Sequence, residues 1–270
     1  MRIQNEDGSW GPKAVEFGGR LYEQSGITGI ALLVFLELGY SYRSRDELEG
    51  KPIADVVVGG LNWLVEHLST TDLGRLQSTL ALLDAYGLMG EVLSPRPKAY
   101  KEAAVRGLRE VLARQATDGS WGSDLGITAW AARVLHFAML YGIPLQAESW
   151  QRLSSYLKTR FQAHHEPLVA ALLLMMECTI EKRDHFQMIL DSPPDVEQGD
   201  YNYAHVAALV LRRDEGARNS RVMRGTNFGP WFDRMKHTIG ADVRARWSEP
   251  GVPAMIRRLM CIHAATALCW

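Results

Sequence analysis

An octapeptide that occurs twice constrains the fold more than any other feature of the sequence. Residues 4–11 read QNEDGSWG and residues 115–122 read QATDGSWG, and a Gly-Ile-Thr and an apolar run follow each copy. Asp-Gly predicts a turn in which glycine adopts backbone angles that other residues resist. The tryptophan can pack against a neighbouring helix pair. Six residues are therefore assigned a structural role in joining helices: Gln4, Asp7, Trp10, Gln115, Asp118 and Trp121. Such a repeat suits a ring or solenoid of helices.

Nearly the whole chain reads as helix, and two kinds of helix alternate along it. One kind has a single apolar stripe and a charged face, at residues 54–68, 98–114 and 148–161, with weaker examples at 184–190 and 229–239. The other kind is apolar on almost every side, at residues 28–38, 78–87, 126–141, 167–180, 203–211 and 256–268. A helix that is apolar all round is surrounded by protein. The alternation therefore predicts six inner helices enclosed by five or six outer ones.

The motif Q-x-x-D-G-S-W-G, followed by G-x-T and an apolar helix, resembles the repeat of the prenyltransferase/squalene-cyclase superfamily. The resemblance implies an all-α fold, an α/α toroid formed by residues 1–270 as a single domain. The ideal toroid has six outer helices, and only five are predicted, so the ring is expected to be incomplete at one or both ends. The first 25 residues can close the gap, a second copy can close it in a homodimer, or the chain can be part of a longer parent assembly.

The two enzyme branches of that superfamily carry signatures that this sequence lacks. The resemblance implies an Asp-x-Asp-Asp acid in a triterpene cyclase, or an Asp-x-Cys zinc pair with a distant histidine in a prenyltransferase, and neither segment occurs here. Asp124, two residues before an apolar helix, is the remaining candidate for a catalytic acid, and an N-cap is the alternative interpretation. Because no motif for zinc, nucleotide or phosphate is found, no metal and no cofactor are predicted.

A ring of inner helices encloses a central space, which is the candidate ligand pocket. Ligand pockets are mostly apolar and aromatic with a few polar anchors. Six side chains on the inner helices or at their starts fit that description: Gln77, Tyr86, Trp130, His165, Tyr203 and His205. The alternative is that bulky methionine, phenylalanine and tryptophan side chains fill the space completely.

Charge and composition exclude several classes of partner. Lys plus Arg number 30 and Asp plus Glu 31, so the net charge of −1 does not favour nucleic-acid binding. The 3 cysteines form no CxxC pair and no disulfide framework. The apolar runs are too short to span a bilayer, and the N-terminus has no signal-peptide pattern. We therefore expect a cytoplasmic protein without a membrane span.

Three functions are compatible with these features, and the third, a carbohydrate-active enzyme with Glu166 and Asp124 as its paired carboxylates, is favoured by no feature of the sequence. The first is a non-catalytic toroid that binds a partner protein or an apolar small molecule, because the repeat is present and both catalytic signatures are absent. The second is an isoprenoid-processing enzyme, either like a class II terpene cyclase or like a prenyltransferase, with a non-standard site. The second rests on the resemblance alone, and a fold does not determine a function.

Overall fold

Helices dominate the computed structural model of the chain, which confirms the predicted all-α class. The structure describes residues 4–17, 19–48, 50–89, 95–177, 182–195, 200–216, 229–246, 260 and 263–264. The helices within these residues are α1 (Gln24–Glu37), α2 (Ile53–Glu66), α3 (Asp72–Met89), α4 (Pro95–Ala113), α5 (Leu125–Leu140), α6 (Ala147–His164), α7 (Pro167–Met175), α8 (Lys182–Asp191), α9 (Tyr201–Gly216) and α10 (Gly229–Arg246).

Within the described residues, two short antiparallel hairpins accompany the helices, and the sequence analysis did not predict them. Strand β1 (Ala14–Phe17) pairs with β2 (Arg20–Glu23), and β3 (Glu47–Leu48) pairs with β4 (Lys51–Pro52). The β1–β2 hairpin lies between the first octapeptide and α1, whereas the second octapeptide has no hairpin between it and α5. The two copies of the repeat therefore reach their helices by connections of different length.

The chain divides into two compact units. The first unit contains Met1–Gln115, Arg133–Leu145 and Pro250–Leu259. The second unit contains Ala116–Ala132, Gln146–Glu249 and Met260–Trp270. Helix α5 thus contributes its residues up to Ala132 to the second unit and its remaining residues to the first.

The predicted alternation of buried and half-buried helices is confirmed for the described helices. In α1 every residue from Ser25 to Val34 is buried, and in α7 every residue from Val169 to Met175 is buried. Helix α2, between α1 and α3, buries one stripe that includes Leu61. The helix predicted at 256–268 lies outside the described residues, except for residues 260, 263 and 264.

Glycines allow α1 and α3 to pack closely in the first unit. A Cβ atom on Gly26 would lie 2.8 Å from the Cα of Gly74, and one on Gly29 would lie 2.8 Å from the carbonyl oxygen of Gln77. Contacts that advance in the same direction along both helices show that α1 and α3 run parallel. Their C-terminal ends therefore lie at the same end of the first unit.

Residues 5–10 of the first octapeptide lie in the first unit, residues 116–121 of the second lie in the second unit, and the two segments adopt the same conformation. In the first clip (residues 5–10), the N–H and hydroxyl of Ser9 donate to Oδ1 of Asp7 at 3.0 and 2.6 Å, and Gly8 has φ +91°. In the second clip (residues 116–121), the N–H and hydroxyl of Ser120 donate to Oδ1 of Asp118 at 2.9 and 2.8 Å, and Gly119 has φ +97°. These bonds lower the pKa of both aspartates below the usual value.

Each clip is hydrogen-bonded to the buried helix that follows it. The backbone N–H of Trp10 donates to Oγ1 of Thr28 in α1 at 2.9 Å. The N–H of Trp121 donates to Oγ1 of Thr128 in α5 at 3.1 Å. Each threonine comes from one of the Gly-Ile-Thr segments, so the sequence link between octapeptide and helix has a direct physical basis.

Each clip also contacts the half-buried helix that follows this buried helix in the chain. A Cβ on Gly8 would lie 2.6 Å from the carbonyl oxygen of Gly59 in α2, and one on Gly119 would overlap the carbonyl of Arg152 in α6. The Gln4 side chain donates to the carbonyl of Val56 in α2 at 2.8 Å. The clips thus join the two helices of the pair that follows them.

The remaining repeat residues have separate roles. The ring of Trp10 packs against Gly60 of α2 and lies 6.1 Å from the ring of Phe35 in α1. Gln115 closes the end of α4, where its N–H donates to the carbonyl of Leu112 at 3.1 Å. Gln115 belongs to the first unit, and the second clip begins at the next residue.

Replacing Thr128 with valine is expected to lower the free energy of unfolding by about 1–3 kcal/mol, because the buried N–H of Trp121 loses its acceptor while the side-chain volume is kept. Urea unfolding followed by circular dichroism measures the change. Thr159→Val, at an exposed position of α6, is the matched control and should change stability by less than about 0.5 kcal/mol. Equal losses in both variants would show that the clip bond does not stabilise the fold.

Candidate functional site

Asp124 lies where an N-cap residue is expected. It directly precedes α5, and its Oδ1 accepts a hydrogen bond from the N–H of Gly126 at 2.7 Å. Its carbonyl accepts bonds from the N–H groups of Ile127 and Thr128. This geometry satisfies the free donors of the first turn. The carboxylate therefore has a structural use, and the catalytic role of Asp124 stays a prediction.

The two pocket candidates in the first unit lie on α3 and differ in their contacts. Gln77 is fully buried, and neither amide atom has a hydrogen-bond partner among the described residues. Its Oε1 lies beside Gly26, in the close contact between α1 and α3. Tyr86 instead contacts α4, where the ammonium nitrogen of Lys101 lies 4.9 Å from the centre of its ring.

Two pocket candidates in the second unit meet at a third aromatic side chain. The ring of His263 is nearly parallel to that of His205, with centroids 4.2 Å apart, and to that of Trp130, with centroids 5.8 Å apart. Nδ1 of His205 lies 3.0 Å from the carbonyl oxygen of His263, so Nδ1 carries the proton. All three side chains are buried. The structure thus brings Trp130 and His205 together.

One ring nitrogen of His205 and one of His263 lie within 4.8 Å of each other, a separation at which two ligands can share a metal ion. The two ring planes are only 17° apart, so the in-plane lone pairs lie in nearly parallel planes. A catalytic zinc needs about three converging protein ligands.

The last two pocket candidates lie elsewhere in the second unit. His165 is exposed between α6 and α7, has φ 52°, and stacks on the ring of Phe161 at 5.3 Å. Tyr203 is buried, and its hydroxyl donates to the carbonyl of Ser192 at 2.7 Å. Burial raises the pKa of Tyr203 above its usual value, so the hydroxyl stays protonated.

The sequence analysis missed a buried charged cluster in the first unit. It is formed by Glu37 at the end of α1, Asp84 of α3, Arg133 of α5 and Tyr141 just after α5. The Tyr141 hydroxyl donates to Oδ1 of Asp84 at 2.7 Å, and an Arg133 guanidinium nitrogen lies 3.4 Å from Oε1 of Glu37. Arg133 is fully buried and Asp84 is only 4% exposed. We call these four residues the charged cluster.

Burial dominates the electrostatics of the charged cluster. It raises the pKa of Asp84 to about 7, helped by the negative charge of Glu37, while the Tyr141 hydrogen bond and the Arg133 charge oppose the rise. Burial lowers the pKa of Arg133 to about 10, so the guanidinium remains charged at neutral pH. Asp84 is therefore a carboxyl group that can hold or release a proton near neutral pH.

A signal for this cluster was present in the sequence. Asp84 and Arg133 interrupt runs that are otherwise apolar on every side, and Glu37 lies at the end of another such run. A charged side chain on a helix surrounded by protein must be paired or neutralised. Tyr141 had no comparable signal, because a tyrosine after an apolar helix is ordinary.

Exposed apolar side chains lie at the C-terminal ends of α1, α3 and α5, in the part of the chain that belongs to the first unit. They are Leu38 after α1, Leu88 of α3, and Met139 and Leu140 of α5, and Leu140 is 63% exposed. The ring of Tyr141 contacts Gly87, so the ends of α3 and α5 adjoin. We call these four residues the apolar end. Large exposed apolar patches are typical of binding surfaces.

Comparison with known proteins gave no relative: no family model, curated protein or solved structure matches the chain. Among the described helices, none combines the length and apolar character needed to cross a membrane.

Proposed function

We propose that the chain is an α/α toroid of the prenyltransferase/squalene-cyclase type that serves as a binding module for an apolar ligand or a partner protein. The observation that carries the fold part of this proposal is the shared conformation of the two clips. Each clip binds the threonine of a Gly-Ile-Thr and presses a positive-φ glycine against the next outer helix. Identical joints in two places support a repeated unit of one inner and one outer helix.

The apolar end supports the binding role. Leu88, Met139 and Leu140 are each exposed by more than two fifths, although nearby positions on the same helices are fully buried. Apolar side chains in water favour a second apolar surface or ligand, because association removes that area from water. Two residues of the charged cluster, Asp84 and Arg133, are buried on the same helices, α3 and α5.

An isoprenoid-processing enzyme is the alternative, and the acids of this chain favour it less. Protonating an alkene needs an unusually strong acid. Asp84 is a weaker acid than an ordinary aspartic acid, because burial and the neighbouring Glu37 raise its pKa to about 7. Asp124, the acid predicted from sequence, is engaged as an N-cap. A binding module needs neither group to react.

A fluorescent isoprenoid alcohol tests the proposal directly. We expect the protein to bind this probe saturably, and mass spectrometry of the recovered probe to find it unchanged. Leu88→Glu should weaken binding by at least about tenfold, because the apolar contact would have to bury an unpaired charge.

Leu21→Glu is the matched control, because Leu21 is an exposed leucine on strand β2; it should bind the probe like the unmodified protein. Conversion of the probe into a new product would favour the enzyme over the binding module. Absence of binding, or equal binding by the control and Leu88→Glu, would remove the apolar end as the binding surface.

A further inference from the structure

We propose that Tyr141 is a positioning residue for the apolar end, where it fixes the spacing between Leu140 of α5 and Leu88 of α3. The inference rests on the proposed function, in which this end binds an apolar ligand. Tyr141 donates its hydroxyl proton within the protein, so that proton is not available to a ligand. It acts through the two leucines, because their spacing decides whether one hydrocarbon chain can contact both of them.

Tyr141 lies just after α5 and contacts α3 at two positions that are three residues apart. Its hydroxyl donates to Oδ1 of Asp84 at 2.7 Å, and its ring covers Gly87, where a Cβ atom would overlap the ring. Burial, together with the charge of Asp84, raises the pKa of Tyr141 above its usual value, so the hydroxyl keeps the proton that it donates. Residues three apart lie on the same face of a helix, so a single side chain can hold both.

The backbone around Tyr141 carries this position to Leu140. Helix α5 ends in a Schellman turn, in which the N–H of Ile143 donates to the carbonyl of Ala138 at 2.8 Å. Gly142 has φ +69°, the left-handed conformation that this turn requires. Leu140 therefore lies in a closed turn of the backbone, and a displacement of Tyr141 also displaces Leu140.

The two leucines are the chain neighbours of the residues in this contact. Leu88 directly follows Gly87 and is 49% exposed. Leu140 directly precedes Tyr141 and is 63% exposed. A ligand that buries both leucines is bound more tightly than one that buries a single leucine, because the favourable free energy grows with the apolar area removed from water. A pair that is already held in place also loses less conformational freedom on binding.

Binding of the fluorescent isoprenoid alcohol to Tyr141→Phe tests this inference. The variant keeps the ring and loses the hydrogen bond to Asp84, so we expect binding to weaken by about threefold to tenfold. Tyr100→Phe is the matched control. The Tyr100 hydroxyl donates to Oδ1 of Asn62 at 3.1 Å and joins α4 to α2 in the same unit. Its loss removes a bond of the same kind and should leave binding of the probe unchanged.

A double-mutant cycle with Leu88→Ala separates positioning from a general loss of structure. If Tyr141 acts through the leucine pair, Tyr141→Phe should weaken binding by less than about twofold in the Leu88→Ala protein, because the pair no longer exists. Additive losses in the double variant would overturn the inference. Equal weakening by Tyr100→Phe and Tyr141→Phe would also overturn it.

Gly87→Ala provides a second arm that leaves the Tyr141 hydroxyl in the protein. The new methyl group would overlap the ring, so the ring must turn away from α3, and binding should weaken at least as much as in Tyr141→Phe. Saturable binding that neither Gly87→Ala nor Tyr141→Phe weakens would overturn this inference alone. Absence of binding by the unmodified protein would overturn the proposed function together with it.

Discussion

Arg133→Met is expected to lower the free energy of unfolding by about 3–5 kcal/mol at pH 8, the cost of removing one partner from a buried ion pair. Arg133 is fully buried, and it is the cation that balances both Glu37 and Asp84 in the charged cluster. Methionine keeps much of the side-chain length but supplies no charge. The two carboxylates would then repel each other in a medium that screens them poorly.

The loss should be smaller at pH 5, because Asp84 is neutral there and only the ion pair between Arg133 and Glu37 is removed. Guanidinium chloride unfolding at both pH values measures it. Arg109→Met, at an exposed position of α4, is the control and should change stability by less than about 0.5 kcal/mol. If Arg133→Met lost no more unfolding free energy than Arg109→Met, the charge of Arg133 would not stabilise the charged cluster.

Gly119→Ala is expected to have the second large effect, with a loss of about 3 kcal/mol or more. Two penalties coincide at this position. The backbone has φ +97°, which residues with a Cβ rarely adopt, and the new methyl group would overlap the backbone carbonyl of Arg152 in α6. A carbonyl inside a helix cannot move away as a flexible side chain can, so the second clip would have to separate from α6.

Gly122→Ala separates the two penalties. Gly122 also has a positive φ, +76°, but a Cβ there meets nothing within 4 Å. We expect Gly122→Ala to cost about 1–2 kcal/mol from backbone strain alone. Thermal unfolding of both variants gives the difference, which is the contribution of the close approach to Arg152. If both variants lose the same stability, the clip does not depend on that approach.

The helices could be predicted because the apolar residues that they bury recur in the sequence at helical spacing. Helix α2 was predicted at 54–68 and is found at Ile53–Glu66, since one apolar stripe marks both of its ends. Helix α3 was predicted too short, because the polar residues Arg75 and Gln77 near its start are also buried and interrupt the apolar pattern there. Where polar side chains are buried, the sequence has no periodic apolar pattern from which a helix start can be predicted.

The hairpins and the charged cluster were missed for different reasons. Gly18-Gly19 between Phe17 and Arg20 is a turn signal, but β1 and β2 are only 4 residues each and too short for an alternating pattern to stand out. The charged cluster depends on contacts across long stretches of the chain. Arg133 and Glu37 are 96 positions apart, and no local sequence pattern predicts their contact.

The clips tolerate connections of very different length. Trp10 and Thr28 are 18 positions apart, Trp121 and Thr128 are 7 apart, and the same hydrogen bond forms in both cases. The longer connection accommodates the whole β1–β2 hairpin. The segment just after each clip is therefore a site where an insertion is expected to be tolerated. New loops can be acquired there in evolution, or a reporter can be inserted there by design, while the clip stays bound to both helices.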